Sequence, residues 1–109
     1  MVYTRTLIIE YVEAKVVTLF SGLEDDQAFK DWMKQHQNGF YLNEGDMGTI
    51  RRGTGKMILH KVGCSHLGDG EGVVSTTYAK VAADDYADLV DWAEEKRLEI
   101  VRCSRCKPM

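Results

Sequence analysis

The stretch Met57-Ile58-Leu59-His60-Lys61-Val62-Gly63-Cys64 decides how this sequence is read. Residues 57–62 form a β-rich run, Gly63 supplies a turn, and Cys64 follows His60 by four positions. An imidazole at the end of a strand and a thiol just past a glycine turn can reach the same ion, which makes half of a tetrahedral metal site. The other half is Cys103-Ser104-Arg105-Cys106-Lys107-Pro108, a C-x2-C knuckle that places two thiolates side by side. Together His60, Cys64, Cys103 and Cys106 specify one Cys3His site for Zn2+. Three thiolates and an imidazole fill the coordination sphere, leave no position for a reactive water, and so describe a structural centre. His66 competes with His60 as the fourth ligand, and His60 is favoured because His66 lies two residues from Cys64 in a glycine-rich segment. The plainer alternative keeps Cys64 as a small buried hydrophobe, Cys103 and Cys106 as a dithiol pair, and His60 as an ordinary strand histidine.

Composition sets the frame for this site. A chain of 109 residues, 44% hydrophobic and 28% charged, is the size of one domain, 1–109. Its three cysteines, an odd number, do not complete a disulfide framework, and metal binding uses all of them. The sequence has no apolar run near the ~20 residues needed to cross a bilayer, and Met1-Val2-Tyr3-Thr4-Arg5-Thr6 does not read as a signal peptide. A cytoplasmic protein without membrane contact is expected. The formal charge of −3 has the wrong sign for an obvious nucleic-acid binder.

Outward from the ligands, the pattern is that of an α+β domain. Residues 4–12 and 16–20 are rich in β-formers and predict an N-terminal hairpin. Glu24-Asp25-Asp26 then offers acids at a helix start, and Ala28, Phe29, Trp32, Met33 and His36 follow at helical spacing up to Asn38-Gly39. A short strand is expected at Phe40-Tyr41-Leu42, a turn-rich loop over 43–55, the strand 57–62, and a further strand at Val73-Val74-Ser75-Thr76-Thr77-Tyr78. Asp84-Asp85 open a second helix whose apolar stripe is Tyr86, Leu89, Val90 and Ala93, with Asp84, Asp88, Asp91, Glu94 and Glu95 toward water. Residues 98–101 give the last strand. The expectation is a small, mainly antiparallel sheet of five or six strands with two helices and a zinc site clamping the C-terminus.

The second half resembles the zinc-binding module of Ada-type DNA-alkylation repair proteins, whose pattern is C-x3-C, a short helix carrying an alanine, and C-x2-C-x-P. His60-x3-Cys64, the helix through Ala87 and Ala93, and Cys103-x2-Cys106-x-Pro108 match it in order over about the last fifty residues, with a longer interval between the half-motifs. In that family the first cysteine accepts a methyl group from a DNA phosphotriester. His60 stands at that position here, so the methyl-acceptor role does not carry over, and the histidine is similar to the structural relatives of the module. The first half, where Trp32 to Asn43 reads W-x7-F-Y-L-N, resembles a small bacterial zinc-binding domain type associated with restriction and mobile-element functions.

Charge is unevenly divided. Arg51, Arg52, Lys56 and Lys61 give +4 across residues 51–61, and Lys96, Arg97, Arg102, Arg105 and Lys107 against Glu99 give +4 across 96–109. A shared metal is expected to bring these segments together, with Arg51, Arg52, Lys56, Lys61, Arg102, Arg105 and Lys107 forming a basic face for nucleic-acid phosphates and the Gly53-Thr54-Gly55 backbone close by. Tyr41 and Tyr78 are candidates to stack on bases, whereas Trp32 and Trp92 read as core. The alternative is that these bases are solvated, and that the domain is an adaptor meeting a protein partner or a second copy of itself through its acidic helices or its hairpin. An enzyme is not expected: a cluster of His60, His66, Lys61 and Asp69 would have to use a histidine already assigned to metal.

Overall fold

The computed structural model describes residues 7–12, 15–46, 48–64 and 78–106. Its strands are β1 (Leu7–Val12), β2 (Lys15–Phe20), β3 (Phe40–Glu44), β4 (Lys56–Lys61), β5 (Lys80–Ala83) and β6 (Glu99–Arg102). They form one six-stranded sheet in the order β1-β2-β5-β3-β4-β6. Every pairing is antiparallel except β4 with β6, which run parallel. The helices are α1 (Asp26–Gln35), the single turn α2 (Thr49–Arg52) and α3 (Tyr86–Glu95). The α+β architecture expected from the sequence is therefore present.

Alternation along the strands sends side chains to two separate cores. On one face Val17, Leu42, Met57, Leu59, Val81 and Ala83 pack with Leu89, Trp92 and Ala93 of α3. On the other, Phe20, Tyr41 and Ala82 pack with Phe29 of α1, joined by Ala28, Trp32 and Met33. The two helices thus cover opposite faces of the sheet. Trp92 is buried and Trp32 half-buried, both in core positions as expected. Tyr86, expected in the apolar stripe of α3, is instead exposed, and it touches Phe40 edge-on with ring centroids 5.8 Å apart.

The strand expected at 73–78 falls almost entirely outside what the structure describes. Residues 73–77 lie outside the described residues, and Tyr78 sits in a bend. A strand not anticipated from the sequence, Lys80–Ala83, has every residue buried and lies in the middle of the sheet between β2 and β3. Its alanines have low β propensity, yet their small side chains suit a strand covered on both faces. The loop expected over 43–55 also contains one helical turn. Gly48 and Gly53 bracket α2 in left-handed conformation, and the Gly53 N–H donates to the Thr49 carbonyl at 3.0 Å.

Both longer helices are fixed at their ends by named contacts. Asp85 caps α3 by accepting the Ala87 N–H at 3.0 Å. At its far end Arg97 adopts φ +60 and the Leu98 N–H donates to the Ala93 carbonyl at 2.8 Å, turning the chain directly into β6. Before α1, the buried Asp25 accepts the Ser21 N–H at 2.7 Å. After α1, the His36 ring stacks on Trp32 at 4.5 Å, and its Nδ1 lies 2.6 Å from Asp84 Oδ1, tying the helix to the start of α3.

Candidate metal centre

His60 points to the α1 face of the sheet, because Leu59 beside it in β4 belongs to the α3 core. It stacks on Tyr41, its cross-strand partner in β3, with centroids 5.0 Å apart and ring planes 22° from parallel. Past Lys61 the chain turns: the Cys64 N–H donates to the Lys61 carbonyl at 3.1 Å, and Gly63 takes φ +91, where a side chain would be strained. That turn brings Cys64 back toward the His60 ring.

The knuckle arrives by way of the parallel pairing. Arg102 of β6 is in register with Leu59, and the Cys103 N–H extends the ladder to the Leu59 carbonyl at 2.9 Å. Cys103 is thereby placed beside His60, and the following turn carries Cys106. Two backbone donors meet the sulfurs: the Lys61 N–H to Cys106 Sγ at 3.3 Å and the Arg105 N–H to Cys103 Sγ at 3.4 Å. These donors point at the sulfurs, where a metal-bound thiolate would accept them.

The ligand atoms of His60, Cys64, Cys103 and Cys106 all lie within 4.8 Å of one another. Cys64 Sγ and Cys103 Sγ are 3.7 Å apart. A tetrahedron with metal–sulfur bonds of about 2.3 Å has edges of about 3.8 Å, so this pair already stands at ligating separation. His60, Cys64 and Cys103 are buried and Cys106 is half-buried, and all three cysteines are free thiols. The four residues could hold a metal ion, as the sequence spacing implied. His66 lies outside the described residues.

Sequence reasoning missed Tyr41 as part of this site. It was expected to stack on bases, but it is completely buried, which removes it from any interface with nucleic acid. Its pKa is raised well above the ordinary phenol value by burial, and further by the charges of Cys64, Cys106 and Cys103. A cross-strand position opposite His60 was the signal, visible only once the register of β3 on β4 is known.

The bases expected on one face occupy two places. Lys61, Arg102 and Arg105 are exposed beside the ligands, through their neighbours Cys103 and Cys106 and the Lys61 backbone bond to sulfur. Arg51, Arg52 and Lys56 are also exposed, but they lie at the opposite end of β4. Lys56 and His60 are four steps apart on that strand, roughly 13 Å. Of the bases expected together, only Lys61, Arg102 and Arg105 adjoin the candidate ligands along the chain. Lys107 lies outside the described residues. The glycines of the basic loop have structural work of their own: Gly53 ends α2, and the Gly55 carbonyl accepts the Glu99 N–H at 3.0 Å, opening the pairing of β4 with β6. Among the described residues no helix is long and apolar enough to cross a membrane.

No family model, no curated protein and no solved structure matches this chain.

Proposed function

We propose that this is a small structural-zinc domain that binds nucleic acid through the bases beside its metal centre. The observation that carries the metal reading is the convergence of one imidazole and three thiols, from positions 60 to 106, within 4.8 Å. Zinc suits that donor set, since it accepts tetrahedral thiolate and imidazole ligands without a redox change. With the four positions filled by side chains, the ion supplies cohesion and no open site for chemistry, which argues against an enzyme. His60 holds the ion from β4, Cys64 from the turn after it, and Cys103 and Cys106 from the knuckle. The order of ligands also supports kinship with the structural relatives of Ada-type zinc modules.

Lys61, Arg102 and Arg105 would then stand around the centre as phosphate contacts. Arg51, Arg52 and Lys56 form a second group, reached by a strand long enough to run the length of β4. Exposed acids at the two ends of α3, Asp84 and Asp85 just before it and Glu94 and Glu95 in its last turn, would keep nucleic acid off that helix. Elemental analysis should give about one zinc per chain. A salt-titrated shift assay should show binding that weakens steeply as salt rises. It should be lost in Lys61→Ala/Arg102→Ala/Arg105→Ala and only weakened in Arg51→Ala/Arg52→Ala. Zinc-loaded protein that shifts no nucleic acid at low salt would overturn the binding role and leave a protein-partner role for the acidic helix.

A further inference from the structure

Tyr41 is a buried side chain that touches a candidate metal ligand, His60, and carries a polar hydrogen without being a ligand itself. Its ring is held on two sides, by the edge-to-face contact with Phe29 at 5.2 Å and by the stack on His60 at 5.0 Å. Those contacts fix where the hydroxyl lies. The hydroxyl oxygen is fully buried and has no hydrogen-bond partner among the described residues. A buried donor left in that state is costly, and native structures rarely keep one without something to receive it.

Burial acts most strongly on this phenol, and the ionisable groups that act on it besides are Cys64, Cys106 and Cys103, the sulfurs of the candidate metal site. A neutral thiol is a poor acceptor, whereas a metal-bound thiolate carries charge and is a good one. Loading the centre therefore creates the acceptor that the hydroxyl lacks. We infer that Tyr41 is a positioning residue of the metal centre, whose hydroxyl donates a hydrogen bond to a cysteine sulfur of the loaded site, directly or through one buried water. The inference rests on the metal reading given above. Donation draws charge off the sulfur, which lowers its reactivity toward electrophiles, and fixes the orientation of that sulfur in the site. The aromatic stack also orients the His60 imidazole, so one residue steadies both the nitrogen and the sulfur side of the centre.

Tyr41→Phe keeps the ring, and with it both aromatic contacts, and removes only the hydroxyl. In full-length protein loaded with Co2+, the sulfur-to-cobalt charge-transfer band of Tyr41→Phe should move to longer wavelength, because a sulfur that loses a hydrogen bond gives up its electron more easily. Alkylation of the zinc-loaded variant by iodoacetamide should be several-fold faster. In wild-type protein loaded with 113Cd2+, the Tyr41 hydroxyl proton should exchange slowly with solvent. A cobalt band and an alkylation rate unchanged by Tyr41→Phe overturn the hydrogen bond while leaving the metal site intact, as does a rapidly exchanging hydroxyl proton in the cadmium protein. Failure of the wild-type chain to take up Co2+ or Cd2+ overturns the metal reading and this inference together.

Discussion

Cys64 and Cys103 are 39 residues apart in the chain, yet their Sγ atoms are 3.7 Å apart and both side chains are buried. Between them run β5 and α3, so the contact joins the end of β4 to the end of β6 across a large part of the fold. The pair reaches ligating distance through backbone pairing: β6 lies parallel to β4, and the Cys103 N–H continues that ladder.

Removing a bound metal should therefore act on stability before anything else. Zinc bound by comparable ligands in small peptides contributes about 10–16 kcal/mol at neutral pH, as much as a small domain's entire stability. Chelation of the loaded protein should lower the melting temperature by 20 °C or more, on the order expected when several kcal/mol are lost. Thermal melts followed by circular dichroism, with and without chelator, measure this, and equal melting temperatures would contradict it.

His60→Ala should cost more than the loss of a ligand alone, since the imidazole also stacks on Tyr41. Cys106→Ser, at the half-buried position, should retain a weakened site. Metal affinity by competition with a chromophoric chelator should rank wild type above Cys106→Ser, and Cys106→Ser above His60→Ala. The reverse order of the two variants would show that the stack adds nothing.

The candidate ligand cluster was legible because metal sites of this type carry short spacings, as from His60 to Cys64 and from Cys103 to Cys106, and because three cysteines left little choice. Helices α1 and α3 were legible from their periodicity. The central strand was not: Lys80-Val81-Ala82-Ala83 carries one β-branched residue and a lysine, and its burial comes entirely from neighbours distant in sequence. The one-turn helix α2 is too short to show a period. The placement of Arg51 and Arg52 away from the candidate metal site depends on the direction in which β4 runs, which local composition does not encode.

Gly39 marks a close approach that a side chain would obstruct. A Cβ there would lie 2.8 Å from Trp32 Cη2, 3.0 Å from the His36 carbonyl oxygen and 3.2 Å from that of Ala83. Two of these are backbone atoms and cannot swing aside. Gly39→Ala should destabilise by about 1–3 kcal/mol through overpacking, and urea denaturation at constant metal occupancy would show it. A neutral substitution would mean that α1 is free to shift on the sheet.

Glu44 is buried and accepts two backbone N–H groups, from Ile50 at 2.8 Å and from Ala79 at 2.8 Å. One carboxylate thus anchors the α2 turn and the approach to β5. Glu44→Gln turns one acceptor into an NH2 facing a donor, and should cost roughly 2–4 kcal/mol by breaking a charge-assisted bond and leaving a donor unpaired. The measurement is equilibrium unfolding of the two proteins at pH 7.

Lys80 gives a pH dependence with a definite sign. Burial lowers its pKa from 10.5 to about 8, against the opposing pull of Glu44 and Asp26. The folded state therefore releases this proton earlier than the unfolded chain. The cost of holding the charge is fully present below pH 8 and is relieved as pH rises from about 8 to 10.5. That cost is roughly 3 kcal/mol by the size of the shift. Lys80→Met should be more stable than wild type at pH 7, and the gap should narrow toward pH 10 in denaturation curves of the metal-loaded proteins. A gap that stays constant with pH would place the effect in packing rather than in charge.

The parallel seam between β4 and β6 carries a consequence for the way the chain is tethered. An ion held by Cys64 and Cys103 would close a loop that contains β5, one of the two central strands of the sheet, and closing a loop of this length removes about 4 kcal/mol of chain entropy from the unfolded ensemble. The clasp sits on an outer strand, whereas the segment whose freedom it restricts runs through the centre. Opening it would release the four residues of β6 locally and slacken β5 globally. In hydrogen exchange, metal loss should thus speed both the rim and the heart of the sheet, with β3 lagging behind.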